Sequence, residues 1–115
     1  MNKQALRTAI ITANNSAYQS LGSQIPSNMR RYVYRIKATN QFNGANKLTL
    51  ARGPAGSEAA VDYIQAAVQY DIWNDPDEVT EQAAPIYIFE AEDEYIRVIT
   101  NAGDCNVFII YTDEP

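Results

Sequence analysis

Apolar and polar residues alternate along most of the chain, which is the pattern of half-buried β-strands. The alternation is clearest over 31–39 and 47–52, and turn-forming residues follow both segments. Comparable segments occupy 5–12, 17–25, 85–91, 95–100 and 105–112. Short strands separated by turns every 8–12 residues or so are typical of sandwiches and barrels. We therefore predict an all-β fold: an antiparallel β-sandwich or jelly-roll-like barrel of about seven or eight short strands.

The segment 58–73 carries two competing patterns. Three aliphatic side chains recur at helical spacing, but apolar and polar positions also alternate from Ile64 to Ile72. The alternation has more matches than the helical spacing, so it predicts a strand over 63–73. A short turn of helix at 58–62 is predicted to precede that strand.

The last predicted strand, 105–112, is apolar on both faces. A strand of this kind is usually central in its sheet and covered on both sides. We therefore expect this strand to be covered on both sides within the protein or to lie against a neighbouring subunit, and on this basis we predict a homo-oligomer. One face carries Cys105, Val107, Ile109 and Tyr111, and the other carries Phe108 and Ile110.

The composition narrows the classes of function. The chain has 115 residues, 46% of them apolar, with 9 basic and 14 acidic side chains and a net charge of -5. This length predicts one β domain over 1–115, with a short flexible N-terminal arm at about 1–4. The acidic balance opposes nucleic-acid binding, which needs clustered Lys and Arg. Neither a membrane-spanning segment nor a signal peptide is expected, since no long apolar run occurs and Arg7 interrupts the N-terminal one.

The residue types also argue against catalysis. The chain has no His and a single Cys, so Ser-His-Asp triads, Cys-His dyads and His-ligated metals cannot be assembled. Cys105 shares a strand face with aliphatic residues and is predicted to be a buried, inert thiol. We expect no enzyme activity, no catalytic residue, no cofactor and no metal site.

Two features are candidates for binding. In an extended strand, Arg31, Arg35 and Lys37 share one face, which is either a solvated outer face or a basic stripe that docks on an acidic partner. Trp73 lies at a predicted strand end beside an acidic loop. It could pack at the edge of the core, stack on a sugar or contact another subunit.

Two acidic clusters have a structural and a chemical interpretation. The loop 71–78 is either a solvated turn or a Ca²⁺ site, although its spacing does not match an EF-hand. The second cluster, in the turn 90–94, is either a set of charges that keeps a hairpin turn soluble or a pair of glycosidase carboxyls. We prefer the first interpretation, because exposed carboxyls lack the raised pKa that glycoside hydrolysis needs. The oxygen ligands of the first are Asp71, Asn74, Asp75, Asp77 and Glu78, and the carboxyls of the second are Glu90, Glu92, Asp93 and Glu94.

The order of strands and turns resembles small β-domain virion proteins of tailed bacteriophages, especially capsid decoration (cement) proteins and related head or tail accessory proteins. The resemblance covers most of the chain and consists of strand-and-turn patterns. It rests on Ile11-Thr12-Ala13-Asn14-Asn15, on Ile25-Pro26 leading into Arg31-Tyr32-Val33-Tyr34-Arg35-Ile36-Lys37-Ala38, on Leu48-Thr49-Leu50, and on Pro85-Ile86-Tyr87-Ile88, Tyr95-Ile96-Arg97-Val98 and Val107-Phe108-Ile109-Ile110-Tyr111.

This resemblance implies a non-enzymatic structural protein, often a trimer, made in the host cytoplasm and bound to the capsid exterior. Its partner would be the major capsid protein or another virion protein. The alternative is a carbohydrate-binding or host-recognition module, such as a tail-associated adhesin, that uses Trp73. The candidate interface residues are Arg31, Arg35, Lys37, Trp73, Phe108 and Ile110.

Overall fold

A computed structural model of the chain describes residues 6–76 and 84–115. Within these ranges the fold is all-β and sandwich-like, as predicted, with nine strands and a single turn of 3-10 helix at Ala91–Asp93. The predicted N-terminal arm at 1–4 lies outside the described residues. The strands are β1 (Arg7–Ala13), β2 (Gln19–Leu21), β3 (Arg30–Asn40), β4 (Asn46–Arg52), β5 (Ala59–Ala66), β6 (Ile72–Asp75), β7 (Tyr87–Glu90), β8 (Ile96–Thr100) and β9 (Cys105–Glu114).

The strands form two antiparallel sheets. Sheet A has the order β1-β9-β3-β6, and β7 pairs with the other half of β3 along the same edge as β6. Sheet B has the order β2-β8-β4-β5. The inward side chains of both sheets form one core, because alternation places every second residue between the layers. Its largest fully buried apolar members are Leu21, Ile36, Leu48, Leu50, Phe89, Ile96 and Ile109.

The central position predicted for the last strand is confirmed. β9 lies between β1 and β3 and pairs with both over most of its length. Its inward residues, from Cys105 to Tyr111, are buried in the core. Phe108 and Ile110 lie on the opposite face and are only half-buried. The outer face of sheet A therefore keeps apolar surface in contact with solvent.

A β-bulge at Tyr34 reverses the two faces of β3. Val33 pairs with Tyr111 and Arg35 pairs with Ile110, so Tyr34 is an extra residue in the register. Before the bulge, Arg31 points inward, whereas after it Arg35 points outward. The prediction that Arg31 shares one face with Arg35 and Lys37 is therefore wrong, because it assumed an uninterrupted strand; Arg35 and Lys37 do share a face.

The prediction of one continuous strand over 63–73 is also wrong, because only its two ends are in strands, and the turn of helix predicted at 58–62 is absent from those residues. The chain instead forms β5 in sheet B, turns at 67–71, and continues as β6 in sheet A. Tyr70 adopts a positive φ of 69°, which no extended strand contains. The turn is closed by Asp71, whose Oδ2 accepts hydrogen bonds from two backbone N–H groups, of Ala67 at 2.8 Å and Val68 at 3.2 Å.

Buried amides join the loops at one end of the sandwich. The Asn40 side chain donates to the carbonyls of Gly44 and Val68, at 2.9 and 2.8 Å. Asn46 donates to Asn40 Oδ1 at 3.0 Å and to the carbonyl of Gly103 at 2.9 Å. Because buried polar groups are costly when unpaired, these contacts fix the three loops relative to one another.

Candidate binding sites

The outer face of sheet A combines apolar and basic side chains. We call it the outer sheet face. Side chains of directly paired residues project to the same side, and Phe108 pairs with Ile10 on one side and with Lys37 on the other. Ile10 is 72% exposed, although it belongs to a regular strand. The outer sheet face comprises Ile10, Arg35, Lys37, Ile72, Phe108 and Ile110.

A shallow groove of about 380 Å³ crosses this face. Ile10 and Phe108 supply its apolar surface, and Arg35 and Lys37 supply its positive charge. Arg35 is held in place by a 2.9 Å hydrogen bond from Nε to Asn74 Oδ1. No acidic side chain among the described residues lines the groove. The arrangement is suited to an acidic protein surface that also presents apolar side chains.

Four of the six predicted interface residues therefore lie on one face. They are Arg35, Lys37, Phe108 and Ile110. Ile10 also belongs to this face and was not among the predicted interface residues, although the sequence carried a signal for it. Ile10 and Ile11 are adjacent in a predicted strand, so one of the two had to project away from the core.

Arg31 is not accessible to any partner. Its side chain is fully buried and forms a bidentate salt bridge with the Asp113 carboxylate, with Nε–Oδ1 at 2.7 Å and Nη2–Oδ2 at 2.8 Å. Nη1 donates to the carbonyl of Ser23 at 2.6 Å, and the guanidinium lies 4.4 Å from the centre of the Tyr111 ring. These contacts satisfy the buried charge within the molecule, so its predicted position in a surface stripe is wrong.

Trp73 lies apart from the outer sheet face. It pairs with Ala38 and projects to the inner side of sheet A, at the open edge between the sheets. Its side chain is 45% exposed and lines a pocket of about 260 Å³. The polar residues of this pocket include Gln65 and Asp71. An accessible indole beside amide and carboxylate groups has the composition of a sugar-binding site.

Other polar atoms of this pocket are already engaged. The amides of Asn40 and Asn46 bind backbone groups of the surrounding loops. Asp71 Oδ2 closes the turn before β6. Cys105 also lines the pocket, and burial raises the pKa of its thiol to about 11. The thiol is therefore protonated at neutral pH and is a poor nucleophile.

The acidic clusters have structural roles where they are described. In the hairpin turn, Asp93 Oδ2 accepts the backbone N–H of Glu90 at 2.8 Å, while Glu90 pairs with Arg30 at 3.0 Å. In the other loop, Asp77 and Glu78 lie outside the described residues, so the Ca²⁺ alternative stays a prediction. Over 6–76 and 84–115, no three acidic or Cys side chains come together as metal ligands would.

Comparisons with known proteins add no assignment. Neither a protein-family model, nor a curated protein, nor a solved structure matches this chain. Among the described residues, none of the helical structure has the length and apolar character needed to cross a bilayer.

Proposed function

We propose that this chain is a non-enzymatic structural protein that binds the surface of a larger protein assembly through its outer sheet face. The observation that supports this most is the grouping of exposed apolar side chains with Arg35 and Lys37 on one face of an acidic chain. The apolar side chains would lose their contact with water when a partner binds, which stabilises the complex, and the two cations favour a partner of opposite charge. The resemblance in strand pattern suggests which assembly: the exterior of a tailed-phage capsid, with the major capsid protein as partner.

The two faces of β9 are unequally covered. Its inner face is buried by sheet B, while Phe108 and Ile110 on the outer face have no second layer within the described residues. Exposed apolar surface bordered by polar residues marks interaction sites in many proteins. A capsid lattice would supply that missing layer, and many modest contacts across it would add up.

The first test asks whether the chain is a virion component. Density-gradient purification of particles from the source, followed by mass spectrometry, should recover the chain in the particle fraction. Its absence from every particle fraction would refute the proposed location.

A second test locates the interface. Lys37→Glu should weaken binding to decoration-free capsids about tenfold, because a carboxylate then faces an acidic surface. Lys47→Glu is the matched control, since Lys47 belongs to sheet B and lies 4.8 Å from the Tyr63 ring. Equal losses of affinity for both variants would exclude the outer sheet face as the binding surface.

A carbohydrate-binding role is the second candidate, and the half-exposed Trp73 in its pocket favours it. The pocket would hold a single sugar ring against the indole. It ranks below the first candidate because the amides of Asn40 and Asn46 and Oδ2 of Asp71 already hydrogen-bond to backbone groups of the loops. A glycan array should show binding that Trp73→Ala abolishes and Tyr63→Ala, an exposed aromatic outside the pocket, leaves intact. Such a result would reverse the ranking.

A further inference from the structure

The edge of sheet A that β1 forms is unusually open to strand pairing. Sheet edges that must stay unpaired are generally protected by charges, prolines, bulges or short length. β1 has none of these devices: it runs for seven residues in unbroken register with β9, and its only charge, Arg7, is at its start. Within the described part of the chain, β9 is its only partner in the sheet.

The other edges of the sandwich are protected. β5 is comparable in length but carries Asp62, and its pairing with β4 is interrupted by a bulge. β2, β6 and β7 are three or four residues long. The contrast singles out β1, where alternate backbone N–H and C=O groups point away from β9.

We infer that β1 pairs antiparallel with β1 of a second copy of this chain, about a two-fold axis at Ile10. The outward residues of β1 read the same in both directions from this point, as Thr8, Ile10 and Thr12. In this register Ile10 faces the second copy's Ile10, and Thr8 faces its Thr12. A two-fold interface must be self-complementary in this way.

The side chains on both faces of β1 favour this pairing. On the outer face, β-branched residues are opposite one another, which is a stabilising combination in antiparallel sheets. On the inner face, Ala9 and Ile11 pack against the core but stay half-exposed at the edge. The second strand would cover them and join the two copies of sheet A into one continuous sheet.

This inference is independent of capsid binding, because it concerns the purified chain alone. It also differs from the trimer that the family resemblance implies, because a two-fold contact closes at two copies. Sedimentation equilibrium should therefore give a mass approaching twice the 12.8 kDa of one chain as concentration rises. A monomer throughout the concentration series, or a trimer, would overturn the inference.

Two lysine variants identify the edge. Ile10→Lys places two ammonium groups face to face at the axis, so the dimer dissociation constant should rise at least tenfold. Ile72→Lys is the matched control, since Ile72 is 61% exposed on the same sheet face but at the opposite edge. Circular dichroism of both variants checks that the fold is retained. Equal dimerisation by both would contradict the proposed edge.

Cysteine cross-linking tests the register. Paired Cα atoms in antiparallel strands are about 4.5–5.5 Å apart, within disulfide range. Ile10→Cys should therefore cross-link to itself on mild oxidation, whereas Thr8→Cys should not, because two Thr8 positions would be about 13 Å apart. Thr8→Cys mixed with Thr12→Cys should cross-link. The natural Cys105 is buried and gives little background. Self-cross-linking at position 8 equal to that at position 10 would refute the register.

Discussion

Removal of the Arg31 side chain tests the bulge and the buried ion pair together. Arg31→Met keeps most of the side-chain volume and the apolar stem but removes the bidentate salt bridge to Asp113. The Asp113 side chain is only 7% exposed, so water cannot replace the lost partner without rearrangement of the strand ends. The variant therefore leaves a carboxylate buried beside an apolar group.

The expected cost follows from that geometry. Breaking a buried, hydrogen-bonded ion pair from one side costs about 3–5 kcal/mol. This is a large part of the roughly 5–15 kcal/mol that stabilises a typical domain. With a urea dependence of about 2 kcal/mol per molar, the unfolding midpoint should fall by roughly 1.5–2.5 M.

Urea unfolding followed by circular dichroism measures this shift, and the neighbouring residue supplies the control. Arg30 also pairs with a carboxylate, Glu90, at 3.0 Å, but the two side chains are 56% and 43% exposed. Arg30→Met should hardly move the midpoint, because exposed pairs are solvated in both states. The double variant Arg31→Met/Asp113→Leu should recover most of the loss, since no charge is then left unpaired. Equal shifts for Arg30→Met and Arg31→Met would show that Arg31 is not inside the fold, and the face reversal at Tyr34 would be refuted.

Two further predictions concern the buried thiol of Cys105 and the tight turn that contains Gly53 and Gly56. Burial raises the pKa of the Cys105 thiol from 9.0 to about 11, so the native protein should react slowly with a disulfide reagent at pH 8, whereas the protein unfolded in urea should react fully. The free energy of unfolding should fall as the pH rises from about 9 towards 11, because the unfolded thiol then loses its proton while the native thiol still holds it. Fast labelling of the native protein would contradict this. Gly53→Ala should cost roughly 2–4 kcal/mol, because φ is 116° and a Cβ would lie 2.7 Å from a backbone oxygen. Gly56→Ala, with φ at 87° and open space around a Cβ, should cost only about 1–2 kcal/mol, so equal losses in urea unfolding would exclude the backbone clash.

The sequence predicted the strands well because period-2 alternation is a local property. β4, β8 and β9 begin within one residue of their predicted starts. The bulge at Tyr34 could not be predicted in the same way, since one inserted residue leaves the composition of the strand unchanged while it exchanges the two faces. That single residue separates Arg31 in the core from Arg35 on the surface.

The segment after Gly56 was mispredicted because its alternation was accidental. Ile64 and Ile72 belong to one apparent series of alternating positions, but they lie in different sheets. The break between them comes from tertiary hydrogen bonds: the N–H of Tyr70 donates to the carbonyl of Asn40, and the N–H of Asn40 donates to the carbonyl of Asp71. Contacts between residues about thirty positions apart leave no periodic signal in the sequence.

The proposed face and the proposed edge meet at Ile10, and this has a consequence for binding. Pairing of two β1 strands would place two copies of the outer sheet face side by side in one sheet, with four cations, Arg35 and Lys37 from each copy, directed to the same side. A dimer that engages a repeating acidic lattice with both faces gains from effective concentration, because the second contact is intramolecular. Ile10→Lys should then weaken binding to an assembly more than the loss of one apolar contact explains. On an isolated, monovalent fragment of the partner, the same substitution should cost only what the loss of that one apolar contact explains.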